Sequence, residues 1–119
     1  MEKRKVLIVD DSVIIRDMLQ SLIEKCGCLV CGVAKNGKEG IQMFIDFQPD
    51  IVFMDINMPI IDGMEAAKVI KEIKPDAKII MLSAMGDQEI TSKLKEIGVS
   101  IVLKKPIDNH DILSALASV

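Results

Sequence analysis

The sequence predicts an α/β fold, a doubly wound five-stranded parallel sheet of order 2-1-3-4-5 with five helices in a single domain. Three observations predict it. Short β-branched and aliphatic runs alternate with segments of helical periodicity, and the connections between them are short. Most of those runs are apolar at successive positions, as parallel strands covered on both faces require. The 119 residues suffice for one core and not for two.

The first strand is Val6–Val9, halted by Asp10 and Asp11. Ser12–Cys26 is the first helix: Ile15, Met18, Leu19, Leu22 and Ile23 share one face, Ser12 can cap its start and Gly27 stops it. After the second strand, Leu29–Ala34, Asn36-Gly37 turns the chain into helix Lys38–Phe47, with Ile41, Phe44 and Ile45 on its apolar face. Pro49 separates that helix from the third strand, Ile51–Met54. Helix Met64–Ile73 carries Val69, Ile70 and Ile73, and Pro75 divides it from the fourth strand, Ile79–Leu82. The fourth helix, Asp87–Ile97, is capped by Asp87, apolar at Ile90, Leu94 and Ile97, and stopped by Gly98. Ile101–Leu103 is the fifth strand, and Asp108–Ser118 the last helix, with Ile112, Leu113 and Leu116 inward.

Composition narrows the function. With no Trp, no Tyr and 3 Phe, aliphatic residues and 8 Met fill the interior, so platforms for stacking bases or flavin rings are excluded. Lys and Arg number 15 against 18 Asp and Glu, without a long run of like charge, which argues against nucleic-acid binding. No apolar run approaches the roughly 18 residues of a membrane span, and Asp10-Asp11 cut short the run behind the basic start, so a cytoplasmic chain is expected. Cys26, Cys28 and Cys31 lie close together, but the only His is His110, so three reduced core thiols are expected rather than a zinc site. His110 itself reads as a surface residue.

In open parallel sheets ligands bind beyond the carboxyl ends of the strands. Here the first strand ends in Asp10-Asp11, the third runs into Asp55-Ile56-Asn57-Met58-Pro59, the fourth into Ser83-Ala84-Met85-Gly86 and the fifth into Lys104-Lys105-Pro106. Three carboxylates at one edge repel, and a proton or a cation must relieve them. An all-oxygen set without His or Cys suits a hard divalent ion, Mg2+ being the usual one beside phosphate oxygens. Asp10-Asp11 alone could simply open a helix, and Ser83 or Lys105 alone could be a loop hydroxyl or a solvated charge. Jointly they supply phosphoryl transfer to a carboxylate: a nucleophile in Asp55, a metal site, an opposing cation in Lys105 and a hydroxyl donor in Ser83. Lys105 is preferred to Lys104 because it borders Pro106, where a cis peptide would aim the ammonium inward.

These residues, with Asp62-Gly63, resemble the response-regulator receiver family along essentially the whole chain. Leu82-Ser83-Ala84-Met85-Gly86 looks most like the stand-alone chemotaxis-type members, for which no output domain is expected. The resemblance implies that Asp55 accepts a phosphoryl group from a sensor histidine kinase or phosphotransfer protein, and that a conformational switch then signals to a target protein. It implies Mg2+ on Asp11, Asp55 and the Asn57 carbonyl, with Asp10 acting through water, and Ser83 and Lys105 on the phosphoryl oxygens. The small Ala84 would leave the acceptor accessible. Asn57 and Met85 would border the path of attacking water, and because Met85 cannot orient water, slow dephosphorylation is expected. The implied output face includes Ile90, Lys93, Leu94, Val102 and Lys104. Val102 stands where most receivers carry Tyr or Phe, so switching is expected to run through Ser83 pulling on its loop rather than through an aromatic rotor.

Other readings fit less well. A phosphatase acting through an aspartyl-phosphate needs an acid two residues after the nucleophile, where this chain has Asn57, so an enzyme acting on outside substrates is not expected. A flavodoxin-like electron carrier would set its flavin phosphate against Asp10-Asp11 and lacks Tyr or Trp to hold the ring. A phosphorylation-independent scaffold would be expected to lack one of the acids or Lys105. The serious alternative shares the chemistry: a receiver module cut from a larger hybrid kinase or transcriptional regulator.

Overall fold

The computed structural model describes residues 3–84 and 88–119. In chain order the elements are β1 (Lys5–Val9), α1 (Val13–Lys25), β2 (Leu29–Ala34), α2 (Gly37–Phe47), β3 (Ile51–Asp55), α3 (Gly63–Ile73), β4 (Lys78–Ser83), α4 (Gln88–Glu96), β5 (Ile101–Lys104) and α5 (Asn109–Ala117). The five strands form one parallel sheet in the order β2-β1-β3-β4-β5. This is the expected doubly wound architecture.

Side chains that alternate along each strand divide the interior into two layers. Leu7, Val9, Val52, Met54 and Met81 pack with Phe44 of α2, Ile70 of α3 and Leu94 of α4. Val6, Ile8, Phe53, Ile80 and Leu82 pack on the other face with Leu19 and Ile23 of α1 and Ile112 and Leu116 of α5. Every residue of the central β3 is buried, which is why its sequence is apolar at successive positions. No helix of the described residues is long and apolar enough to cross a membrane.

Several expectations need correction. Ile45, Ile73 and Leu113, expected on buried faces, are each about half exposed, because Phe44, Ile70 and Ile112 already fill the contact between helix and sheet. Of the three cysteines, all free, only Cys28 is buried; Cys26 and Cys31 are half-buried. Asn36 does more than turn the chain: its side chain accepts the Glu39 N–H at 2.8 Å, so α2 begins at Gly37. Asp62 caps α3 in the same way, accepting the Glu65 N–H at 2.9 Å. The Ser12 cap and the two stops, Gly27 and Gly98 with φ of 86° and 92°, are as expected. The Asp87 cap lies outside the described residues.

At the start of α5, Asp108 accepts the Asp111 N–H at 2.8 Å and Asp111 accepts the Asp108 N–H at 3.1 Å, a reciprocal capping box. Asp108→Ala is expected to lower unfolding stability by about 1 kcal/mol in urea titrations. A loss below about 0.3 kcal/mol would mean that the helix does not depend on this cap.

Candidate functional site

The parallel strands deliver four of the expected site residues to the carboxyl edge of the sheet. Asp10 follows β1 directly, Asp55 ends β3, Ser83 ends β4 and Lys105 follows β5. Backbone hydrogen bonds lace these ends together: Asp10 N–H to Ala34 O at 3.1 Å, Ile56 N–H to Leu82 O at 3.0 Å and Lys105 N–H to Ser83 O at 2.7 Å. The side chains therefore sit on a rigid frame rather than on free loops.

At the centre is a buried ion-pair network. Lys105 Nζ lies 3.0 Å from Asp10 Oδ2 and 3.4 Å from Asp55 Oδ1, and Asp10, Asp55 and Ser83 are all buried. The other Asp10 oxygen, Oδ1, accepts the Ser12 N–H at 2.9 Å. Both oxygens of Asp10 are thus engaged by the protein, whereas Asp11 is exposed at the rim. The Lys105–Pro106 peptide is cis.

Electrostatics follows from this geometry. Burial, and next the Asp10 carboxylate, push the Asp55 carboxyl up to about 6, against the pull of Lys105 and the Asn57 N–H. Burial by itself would lower Lys105, but its hydrogen bond and charge pairing with Asp10, and then with Asp55, carry it above its ordinary value. Asp10, Asp11 and Asp55 each offer an oxygen within 4.8 Å of the others, the only such group of His, Cys, Asp or Glu among the described residues. One ammonium cannot neutralise three carboxylates, and oxygen-only donors partly buried in this way fit a hard divalent cation.

The remaining expected residues fall around this centre. Asn57 is exposed beyond β3, with its backbone N–H on the Asp55 carboxylate, and Met85 lies outside the described residues. On the expected output face Lys93 and Lys104 are exposed, and Ile90 and Val102 half-buried. Leu94 is fully buried, so it can affect that face only through packing. A cavity of about 350 Å³ runs past Ser83, Ile90, Thr91 and Val102, space that a residue larger than valine would fill. His110 is exposed in the first turn of α5.

Two contributors escaped sequence reasoning. Arg16, in the second turn of α1, donates from Nη1 to the Asp10 carbonyl at 2.8 Å, holding the acid-bearing loop against the helix. A cation a few residues behind an acid pair is a weak signal, since its target is backbone. Gly63 opens α3 directly under Asp55: a Cβ there would lie 1.9 Å from the Asp55 carbonyl oxygen. The Asp62-Gly63 pair was visible in the sequence, but its place beneath the acid was not.

Comparison with known proteins agrees with this arrangement. The pattern of the response regulator receiver domain matches residues 6–117. The chemotaxis protein CheY of Thermotoga maritima is 41% identical over 116 residues, covering 98% of this chain and 97% of that one. CheY of Bacillus subtilis is 38% identical over 112 residues, covering 94% and 93% respectively. Among solved structures, the CheX-CheY-BeF3-Mg+2 complex from Borrelia burgdorferi superposes with a TM-score of 0.93 at 31% identity, covering 97% of this chain and 87% of that one.

Proposed function

Because this chain belongs to the response regulator receiver family of two-component signalling, we propose that Asp55 is its phosphoacceptor, taking the phosphoryl group from a phosphohistidine of a sensor histidine kinase or phosphotransfer protein. The observation that carries this reading is Lys105 Nζ seated between Asp10 and Asp55, beside three carboxylates whose oxygens lie within 4.8 Å of one another.

An Asp55 carboxylate oxygen forms the new bond to phosphorus as the bond to the donor nitrogen breaks, and the leaving imidazole keeps the electron pair. Asp11, Asp55 and the Asn57 carbonyl would hold Mg2+, with Asp10 assisting through water. Bound there, the ion neutralises charge on the phosphoryl oxygens so that an anionic nucleophile can approach. Lys105 is already within 3.4 Å of the acceptor and needs only to exchange a carboxylate oxygen for a phosphoryl oxygen. Ser83 ends the neighbouring strand and offers its hydroxyl to another phosphoryl oxygen. Asn57 and Met85 are the residues read as tuning the loss of the phosphoryl group, slow because a thioether side chain such as that of Met85 cannot orient an attacking water.

The chain catalyses only this self-modification and signals by changing shape. As Ser83 draws on the loop after β4, the face formed by Ile90, Lys93, Val102 and Lys104, with Leu94 beneath it, changes for a target protein. The likeness to CheY chemotaxis proteins supports a cytoplasmic chemotaxis-type regulator.

The test is labelling by a small-molecule phosphodonor, with Mg2+ or with excess chelator. Labelling is expected to require Mg2+ and to fall at least about tenfold in Lys105→Ala, as loss of a charged hydrogen bond to the transferring group implies. Equal labelling in chelator would overturn the reading.

A further inference from the structure

The opposite edge of the sheet, where the strands begin, has a different character. Lys3 and Arg4 lead into β1, Lys5 opens it, Lys74 is the C-cap just after α3 and Lys78 opens β4. A cavity of about 380 Å³ is lined by Lys3, Arg4, Asp50, Lys74, Asp76 and Lys78. A second, of about 730 Å³, shares Lys3, Asp50 and Lys74 and reaches Lys5, Leu29 and Gln48. The two share a wall and hold five cationic and two acidic side chains, with Val119 also in the lining beside Arg4, on a chain whose net charge is −3.

The cations are poorly neutralised. Among the described residues none of the five closes an ion pair with a carboxylate. Arg4 is spent on main-chain oxygens of Leu116 and Val119 and Lys5 on the Phe47 carbonyl, and Asp50 accepts the Lys5 backbone N–H at 2.7 Å. That leaves the ammoniums of Lys3, Lys74 and Lys78 as the groups available to an anion.

An apolar feature adjoins the recess. Lys74 and Gln48 also line a third cavity, of about 330 Å³, whose other walls are Phe44, Ile45 and Ile73. Leu29, Ile45, Phe47 and Ile73, at or near this edge, are each 43–49% exposed, an apolar rim that the core does not need.

We propose that this amino edge is a docking recess for an acidic peptide segment of a partner protein, with carboxylates over Lys3, Lys74 and Lys78 and one bulky apolar side chain in the Phe44–Ile45–Ile73 cavity. Charge complementarity selects the acidic partner, and the apolar cavity selects a peptide over a free anion. A recess, unlike a protruding apolar ridge, offers little to a flat lipid surface. The recess lies across the sheet from the acid pocket, so docking there leaves the phosphoacceptor edge open.

Fluorescence anisotropy with a labelled octapeptide of glutamates and one central leucine tests the proposal. Binding is expected at low salt, weakening at least about fivefold in the Lys74→Glu, Lys78→Glu double variant and about threefold when serine replaces the leucine. Ile73→Ser is expected to erase the preference for leucine. Circular dichroism checks folding, and the neutral pair Lys74→Gln, Lys78→Gln is expected to weaken binding in the same direction should charge reversal disturb the fold. Unchanged affinity in the folded lysine variants would overturn the proposal. So would vesicles of phosphatidylglycerol and phosphatidylcholine, or inorganic phosphate, binding at this edge while the peptide does not.

Discussion

Asp55→Asn is expected to abolish phosphorylation while making the metal-free protein more stable. Labelling should fall below about one per cent of native, since an amide offers no anionic oxygen to attack phosphorus. Asp10 cannot substitute, being buried with both oxygens engaged by Lys105 and the Ser12 N–H. The stability gain follows from the carboxyl pushed up to about 6 by burial and by Asp10. A carboxyl with a raised folded value costs nothing below the unfolded value near about 4, where it is protonated in both states. The cost grows as pH rises from about 4 to about 6 and is then full. Removing the charge should therefore add about 3 kcal/mol in chelator at pH about 8, and almost nothing at pH about 4. Denaturant titration at the two pH values measures this. A gain that is the same at both would disprove the electrostatic account, and native-level labelling of the variant would remove Asp55 from the chemistry.

Gly63→Ala should be the most destructive glycine-to-alanine change among the described residues, costing at least about 3 kcal/mol and leaving little folded protein. Its Cβ would sit 1.9 Å from the Asp55 carbonyl oxygen and 2.8 Å from the Ile56 Cα, all backbone, which no rotamer change can relieve. The Gly63 N–H also donates to the Ile56 carbonyl at 2.7 Å, fastening the start of α3 to the end of β3. Two other glycines calibrate the effect. At Gly37 a Cβ would meet the Ile61 carbonyl oxygen at 2.3 Å, which is also severe, whereas at Gly27 it meets open space and only the left-handed backbone at φ 86° resists it. The expected order of thermal midpoints is Gly27→Ala above Gly37→Ala above Gly63→Ala. A Gly63→Ala protein as stable as the Gly27→Ala protein would show that the β3–α3 junction yields more than its geometry indicates.

Where the sequence was legible, local chemistry and tertiary packing pointed the same way. The continuous apolar run Ile51-Val52-Phe53-Met54 could only be a strand covered on both faces, and β3 is buried along its whole length. Ser12 and Gly27 delimit α1 because caps and stops act within one turn. Ile45, Ile73 and Leu113 misled because helical periodicity marks an apolar stripe wider than the sheet can cover. Leu94, read both as apolar in the fourth helix and as part of the output face, is fully buried as its periodicity indicated, since an element on an output face still turns one side inward.

By itself the sequence determined the strand and helix order, the gathering of Asp10, Asp55, Ser83 and Lys105 at one edge, and the class of chemistry. Each of these follows from parallel strands that all end on the same side. Only the tertiary structure decided which charges pair: Lys105 bridges Asp10 and Asp55, Asp11 stays at the rim, and Arg16 serves a carbonyl. It likewise decided that Gly63 must lack a side chain, and that scattered lysines meet exposed apolar residues at the amino edge. The reason is physical. Periodicity and caps act over a few residues, whereas electrostatic and steric contacts depend on ångström distances between segments remote in the chain.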